Sequence, residues 1–191
     1  MTVRRRGAAS VGVVELVTAR LRLRRWRDGD VDALAAINAD PEVMRWIGDG
    51  SARDRAAAGA AIAASEQLWQ TRGFGRFAVE VLDTGELAGL AGMAVPDDVP
   101  DVMPAVEIGW RFGRPYWGRG FATEAARAAL RFAFTEGGLD RLVGVHVVGN
   151  DASARVMLKL GMRFHLATTE VVYHRPVHVY TIGRPSAPGG P

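Results

Sequence analysis

The chain contains no cysteine and only one lysine, Lys159, among its 191 residues. Without cysteine it cannot form disulfides or thiolate metal sites, and this composition is typical of a reducing cytoplasm. A proline separates His174 from His178, which makes that pair a poor metal site, so we expect no metal. No apolar run approaches the roughly 18 residues that cross a bilayer, and the N-terminal arginines are not followed by a signal-peptide core. These absences predict a cytoplasmic protein without a membrane partner.

Positive charge exceeds negative charge only slightly. The net charge is +3, and the residues are 48% hydrophobic and 24% charged, a balance typical of a globular domain. An excess of this size suits an anionic small molecule, although arginines scattered over a solvated surface are the alternative. Because no aromatic residues interleave with the arginines to stack on bases, we expect no nucleic-acid partner.

Hydrophobic periodicity predicts one domain with the element order β-α-α-β-β-β-α-β-α-β-β. The predicted strands cover 16–26, 77–81, 87–95, 106–112, 142–148, 162–173 and 177–183. The predicted helices cover 31–38, 51–71 and 151–160, and a further helix follows the segment 117–125 and ends at about 136. We expect a flexible leader over 1–14, a domain over 15–184 and a disordered tail over 185–191. This order predicts a mixed α+β fold in which one sheet has helices on both sides.

One segment, Trp117-Gly118-Arg119-Gly120-Phe121-Ala122-Thr123-Glu124-Ala125, stands where a predicted strand gives way to a helix. Such a turn leaves several backbone N–H groups unpaired near the positive end of the helix dipole, which favours an anion. A nucleotide P-loop would need Gly-Lys and a hydroxyl residue, and a dinucleotide site would need a third glycine and an acid ending the next strand. Neither pattern is present, so the segment predicts a site for another phosphate-bearing molecule.

Residues 117–122 resemble the acyl-CoA pyrophosphate loop of the GNAT N-acetyltransferase superfamily, Gln/Arg-x-x-Gly-x-Gly/Ala, with Trp117 in the first position. The longer string Tyr-Trp-Gly-Arg-Gly-Phe-Ala-Thr-Glu-Ala is similar to the Rim-type branch, which includes ribosomal-protein N-terminal acetyltransferases. Other blocks resemble this branch in the same order: Thr18-Ala19-Arg20-Leu21-Arg22-Leu23-Arg24, Glu107-Ile108-Gly109-Trp110, and Asn150-Asp151-Ala152-Ser153 with Lys159-Leu160-Gly161-Met162. The resemblance spans about residues 16–184.

The resemblance implies a GNAT-like fold with a mostly antiparallel, seven-stranded sheet. Its fourth and fifth strands would splay apart and take the pantetheine arm of acetyl-CoA, the acetyl donor, which leaves as CoA. A primary amine would be the acceptor, and because dimers occur in this branch, the resemblance is compatible with a homodimer. The residues expected to hold acetyl-CoA are Ile108, Gly109, Trp110, Arg114, Trp117, Gly118, Arg119, Gly120, Phe121, Ala122, Thr123, Asn150 and Ser153.

Three residues are candidates for catalysis. Glu107, close to the expected splay, is the candidate base for the ammonium proton, although a strand register one residue different would turn it outward. The resemblance implies that Asn150 bonds the pantetheine arm or a water, while asparagine is also a common helix N-cap. Many superfamily members carry a tyrosine as the acid for the thiolate where this chain has Met157. Ser153 or water would then protonate the sulfur, or the thiolate would leave unaided.

The identity of the acceptor stays open. A protein N-terminus suits an open, mildly polar groove, whereas a polyamine or aminoglycoside needs a cluster of carboxylates, for which Asp97, Asp98 and Asp101 are the obvious group. A non-catalytic regulator that binds acyl-CoA is a third alternative, and it would not depend on Glu107 or Ser153. Candidate wall residues of the acceptor site are Trp46, Trp69, Tyr173 and Tyr180.

Overall fold

Residues 14–185 are described by a computed structural model, and they form eight strands and five helices. The strands are β1 (Glu15–Val17), β2 (Leu21–Arg24), β3 (Arg76–Val81), β4 (Leu87–Ala94), β5 (Glu107–Phe112), β6 (Arg141–Val147), β7 (Arg163–Thr169) and β8 (Pro176–Gly183). The helices are α1 (Asp30–Asn38), α2 (Pro41–Met44), α3 (Arg55–Arg72), α4 (Phe121–Phe134) and α5 (Asp151–Lys159). The predicted leader and tail lie outside the described residues, except for their innermost residues, 14 and 185.

All the strands join one sheet in the order β1-β2-β3-β4-β5-β6-β8-β7. Every neighbouring pair is antiparallel except β5 and β6, which confirms the mixed, mostly antiparallel class. The predicted number of strands, seven, is wrong, because the segment predicted as one strand over 16–26 is the hairpin of β1 and β2. The chain reverses at 18–20, where the Leu21 N–H donates to the Thr18 hydroxyl at 3.0 Å. This turn contains neither glycine nor proline, so the sequence carries no strong turn signal there.

The splay between the fourth and fifth predicted strands is present between β5 and β6. These parallel strands share a single registered pair, Glu107 with Val143, and the Val143 N–H donates to the Val106 carbonyl at 3.0 Å. Beyond that point the two strands diverge. The opening therefore begins at Glu107 and leaves the β6-facing edge of β5 free to bond another extended chain.

Helices cover both faces of the sheet. On β4, Leu90 packs with Leu34 of α1 and Ala58 of α3, whereas the next residue, Ala91, belongs to the main core. The alanine face predicted for α4 lies in that main core, and its fully buried members are Ala125, Ala126, Ala129 and Ala133. Small side chains there let α4 lie close to the sheet. Within residues 14–185, no helix has the length and hydropathy of a membrane span.

Strand β2 departs from the predicted alternation at Arg24. Leucines 21 and 23 are buried as expected, but the Arg24 side chain is only 6% exposed. Its guanidinium pairs with both oxygens of Asp30 at 2.7 and 2.9 Å, and its Nε donates to Glu80 at 2.9 Å. The arginine thus neutralises two buried carboxylates and joins β2 to β3 and to the start of α1.

We expect Arg24→Met to lower the free energy of unfolding by about 3–5 kcal/mol, because it leaves the buried Asp30 carboxylate without a guanidinium. It also leaves Glu80 with only Arg22 and the more distant Arg27. Urea denaturation measures the loss. Arg22→Met is the matched control: Arg22 also contacts Glu80, at 2.8 Å, but its side chain is 36% exposed, so its loss should cost under about 1 kcal/mol. If both variants lose the same free energy of unfolding, the burial of Arg24 does not determine its contribution to stability.

Candidate active site

The predicted anion-binding loop forms a left-handed turn before α4. Gly118 and Gly120 have φ angles of 71° and 80°, a region that L-residues with side chains rarely adopt. The first helix-closing bond runs from the Glu124 N–H to the Gly120 carbonyl at 3.1 Å, and no side chain caps the helix among the described residues. The N–H groups of residues 121–123 are therefore available to an anion at the positive end of the α4 dipole.

A groove of about 390 Å³ runs from this loop into the opening between β5 and β6. Most residues predicted to hold acetyl-CoA line it: Trp110, Trp117, Gly118, Gly120, Phe121, Ala122, Thr123, Asn150 and Ser153. Arg155 and Lys159 of α5 add positive charge to its wall. The groove therefore offers backbone donors at one end, cationic side chains along one side, and a free strand edge at the other end.

Two arginines predicted to add charge to the loop point elsewhere. The Arg114 Nε donates to Asp40 at 2.7 Å. The Arg119 guanidinium lies over the Phe121 ring, 4.6 Å from its centroid. Neither residue lines the groove, and Arg155 and Lys159 lie there instead. Contacts with a bound ligand by Arg114 and Arg119 remain a prediction.

A smaller cavity of about 100 Å³ adjoins the groove at the splay, and the two share six residues, which include Trp110, Arg111, Asn150 and Ser153. The three candidate catalytic residues, Glu107, Asn150 and Ser153, all line this cavity, together with the predicted Ile108 and Gly109. The structure thus brings together side chains from β5 and from the start of α5, at the point where the strand opening begins.

Glu107 is held in a position suited to proton transfer. Its side chain is 18% exposed, and its Oε2 lies 4.0 Å from the Arg76 guanidinium. A Cβ on Gly109 would lie 3.6 Å from the Glu107 Oε1, so the carboxylate folds over a glycine. Burial is the main cause that raises the pKa of Glu107 to about 7. The charge of Arg76 opposes this rise, and that of Asp98 adds to it. The group therefore exchanges a proton near neutral pH.

The raised pKa of Glu107 makes the effect of its removal on stability dependent on pH. Because the folded protein favours the protonated carboxyl of Glu107, protonation of this group stabilises the fold. That stabilisation is complete below the ordinary pKa of 4.5 and is lost as the pH rises through about 7. We expect Glu107→Gln to raise the free energy of unfolding by up to about 3 kcal/mol at pH 8 and by much less at pH 5. Urea denaturation at the two pH values measures this difference. An equal gain at both would mean that packing, not charge, is responsible.

Asn150 and Ser153 are positioned together at the start of α5. The Asn150 side-chain oxygen accepts the Ser153 N–H at 3.2 Å, so Asn150 is the helix cap, and it also lines both cavities. This leaves the N–H groups of its amide as donors toward the opening. Met157 lies one turn further along α5 and lines the smaller cavity, so the Ser153 hydroxyl is the O–H group that α5 presents there.

Sequence reasoning missed several residues that line the smaller cavity, among them Arg76, Arg111 and His146. The His146 Nδ1 lies 2.9 Å from the Val147 carbonyl, so it carries the proton, and burial lowers the pKa of this ring, which keeps it neutral. Its Nε2 is buried and has no partner within residues 14–185. The Nε of Arg111 is buried and unpartnered in the same way. No local pattern marks these residues, because arginine and histidine on strands are common at surfaces.

Of the four predicted wall residues, Trp46 lines both cavities. Trp69 belongs to the core, where its ring packs on Phe77, and Tyr180 packs against His146. Tyr173 is largely exposed. Among the described residues, no group of three or more histidine, cysteine, aspartate or glutamate side chains is placed to hold a metal ion.

Comparison with known sequences gives a family for this chain. The sequence model of the family described as "Acetyltransferase (GNAT) domain" matches residues 20–163. "Uncharacterized protein YkkB" of Bacillus subtilis (strain 168) is 33% identical over 167 residues, which cover 87% of this chain and 94% of that protein. The match to the family model, over residues 20–163, includes the strand that carries Glu107 and the whole glycine loop.

Solved structures give the same result for the fold. The acetyltransferase from Agrobacterium tumefaciens str. C58 superposes with a TM-score of 0.74 at 26% identity, over 92% of this chain and 98% of that one. RimL, a ribosomal L7/L12 alpha-N-protein acetyltransferase in complex with coenzyme A, superposes with a TM-score of 0.72 at 17% identity, over 88% of this chain and 96% of that one. At the latter identity the likeness concerns the fold alone. By its sequence match and its splayed sheet, the chain belongs to the GNAT acetyltransferase family.

Proposed function

We propose that this chain transfers the acetyl group of acetyl-CoA to a primary amine by direct attack while both substrates are bound. As a GNAT family member it is an N-acetyltransferase. The observation that carries the proposal is the continuity of the site: a groove leads from the free N–H groups of α4 to the cavity where Glu107, Asn150 and Ser153 meet.

The groove fits acetyl-CoA in three respects. The N–H groups of residues 121–123 would bind the pyrophosphate, and the nearby Arg155 and Lys159 would balance its charge. The pantetheine arm would lie in the splay, where the edge of β5 offers unpaired backbone groups beyond Glu107. The thioester would then reach the smaller cavity beside Asn150.

Different residues of that cavity would act on the amine and on the sulfur. A primary amine is protonated near neutral pH, and Glu107, with a pKa near 7, would accept that proton. The neutral nitrogen attacks the thioester carbonyl carbon, a C–N bond forms, and the C–S bond breaks. The electron pair stays on the sulfur, and the acylated nitrogen must give up its second proton to become a neutral amide. That proton would reach the sulfur through the Ser153 hydroxyl or a water, or pass to solvent while the thiolate leaves unaided, because thiols are acidic.

The acceptor could be a protein N-terminus or a small-molecule amine. The Rim-type resemblance and the alpha-N-protein acetyltransferase activity of RimL favour the first, but the structural likeness to RimL concerns the fold alone. The small size of the cavity, about 100 Å³, favours a compact acceptor group at the reacting end.

A thiol-release assay with acetyl-CoA against a panel of amines and short peptides tests the proposed function. We expect at least one amine to accelerate CoA release, and Glu107→Gln and Ser153→Ala to slow it. If the protein binds acetyl-CoA in calorimetry but no amine accelerates thiol release, the transferase activity is refuted. A regulator that only binds acyl-CoA would give that result, with both variants binding like the natural protein.

A further inference from the structure

The smaller cavity contains an arginine whose charge the protein leaves unbalanced. The Arg111 Nη1 donates to the neutral side-chain oxygen of Asn38 at 2.7 Å, and its buried Nε has no partner within residues 14–185. Among the described residues, no carboxylate forms an ion pair with Arg111. Burial, and then the positive charges of Arg76 and Arg53, lower the pKa of Arg111 to about 10. A half-buried guanidinium whose side-chain partner is a neutral amide, with other cations nearby, favours an anion from elsewhere.

The carboxylates near the neighbouring cations, Arg53 and Arg76, are already engaged by those residues and do not pair with Arg111. Arg53 is paired with Asp49 at 2.8 Å. Arg76 faces Glu107 at 4.0 Å and is also near Asp98. The negative groups therefore lie at the Glu107 end of the cavity, and the unbalanced positive charge lies at the Arg111 end.

Strand geometry places these groups on one surface. Glu107, Gly109 and Arg111 alternate along β5, so their side chains share one face. Arg76 is registered with Gly92, which is registered with Gly109, so the Arg76 side chain lies across a floor of two glycines. Ile108 and Phe112, on the other face of β5, belong to the main core. The face that carries the charges is the one that Arg111 joins to α1 through Asn38.

We infer that the acceptor carries a carboxylate beside its amine, and that Arg111, together with Arg76, binds this carboxylate while Glu107 receives the amine. Arg111 is thus a specificity-determining residue for the acceptor, and the inference rests on the proposed function. The small cavity favours a free amino acid as the source of both groups, and an acidic first residue of a protein is the other source of this chemistry. Polycationic amines, which would place further positive charge beside Arg76 and Arg111, should be poor acceptors.

The test compares acceptors that differ only in charge. Thiol release is measured with L-amino acids and with their carboxamides, with a peptide that begins with aspartate and one that begins with asparagine, and with spermidine. We expect kcat/KM for an acid to exceed that for its carboxamide by at least about tenfold, the value of a charge-assisted pair. A preference confined to the aspartyl peptide would assign the carboxylate to a protein N-terminus rather than to a free amino acid.

Two substitutions locate this preference on Arg111. Arg111→Gln should lower the acid-to-carboxamide ratio to near one. Asn38→Asp keeps the shape of a buried residue but gives the guanidinium a carboxylate of its own, so it should also lower the ratio. Arg55→Gln removes an exposed cation that pairs with Asp32 and is the matched control. Urea unfolding checks that each variant is folded. Because Arg111 also lines the larger groove, acetyl-CoA affinity is measured for each variant, and the inference requires it to be unchanged in all three.

The outcomes separate this inference from the proposed function. If amines are acetylated but acids and carboxamides react equally, or if the ratio survives in both variants, the inference is overturned and the proposed function stands. If Arg111→Gln weakens acetyl-CoA binding instead, Arg111 serves the donor and the inference is overturned as well. If no amine is acetylated, the proposed function and the inference both fail. If the acid-to-carboxamide ratio falls in Arg111→Gln and Asn38→Asp but not in Arg55→Gln, the inference is supported.

Discussion

Glu107→Gln is expected to lower kcat by roughly 10²- to 10⁴-fold, the usual contribution of a general base. Activity needs the deprotonated carboxylate, so kcat/KM of the natural protein should fall as the pH drops through about 7, the pKa to which burial raises this group. The variant should lose this acidic limb and keep only the pH dependence of the acceptor amine itself. Steady-state thiol release between pH 5.5 and 9 measures both effects.

Two further variants make this expectation specific. Glu136→Gln removes an exposed carboxylate just beyond α4 and should leave the rate and the profile unchanged. His146→Gln removes the other group in the cavity with a free proton-accepting atom, the buried Nε2. If the acidic limb survives in Glu107→Gln and disappears in His146→Gln, His146 is the base and the role given to Glu107 is wrong.

Thr123→Glu is expected to weaken acetyl-CoA binding by roughly 30- to 1,000-fold. Thr123 lines the groove in the first turn of α4, beside the N–H groups that would bind the pyrophosphate. A carboxylate about 4–8 Å from a phosphate charge costs roughly 2–4 kcal/mol near a protein surface. Isothermal titration with CoA or acetyl-CoA measures the change in Kd.

The stability of this variant should change in the opposite direction. A negative charge in the first turn of a helix interacts favourably with the helix dipole, by about 0.3–1 kcal/mol, so Thr123→Glu should unfold at an equal or higher temperature. Thr123→Gln has nearly the same shape without the charge and should bind acetyl-CoA far better than the glutamate variant. Equal affinities of the two variants would show that the pyrophosphate lies elsewhere.

Much of the fold could be predicted because its signals are local. The hairpin of β3 and β4, strand β5, and helices α4 and α5 all follow from periodicity and from turn residues close in sequence. The prediction failed at the β1–β2 hairpin, where the reversal at 18–20 uses the Thr18 hydroxyl rather than glycine or proline. A hydroxyl that bonds a backbone group three residues away leaves a much weaker trace in a sequence.

The candidate site could be predicted in part. Glu107 lies on β5, whereas Asn150 and Ser153 lie together at the start of α5, and the resemblance to a known family pointed to both segments, which line one cavity. Arg114 was expected to face the loop because it is close in sequence, yet it pairs with Asp40, 74 residues away. Two of the three charged side chains that do line the groove, Arg155 and Lys159, come from a helix that only the fold brings near the loop.

The sequence by itself determined the glycine turn before α4 and the order of the elements from α3 onward, because backbone conformation at a glycine and the start of a helix depend on residues a few positions apart. The tertiary structure alone decided which charges are buried and what they meet. Arg24 reaches Glu80 across 56 residues, and Arg111 reaches Asn38 across 73. Such pairs depend on strand register and on how α1 packs over the sheet. The burial that raises the pKa of Glu107, and the unbalanced charge of Arg111, therefore exist only in the folded chain.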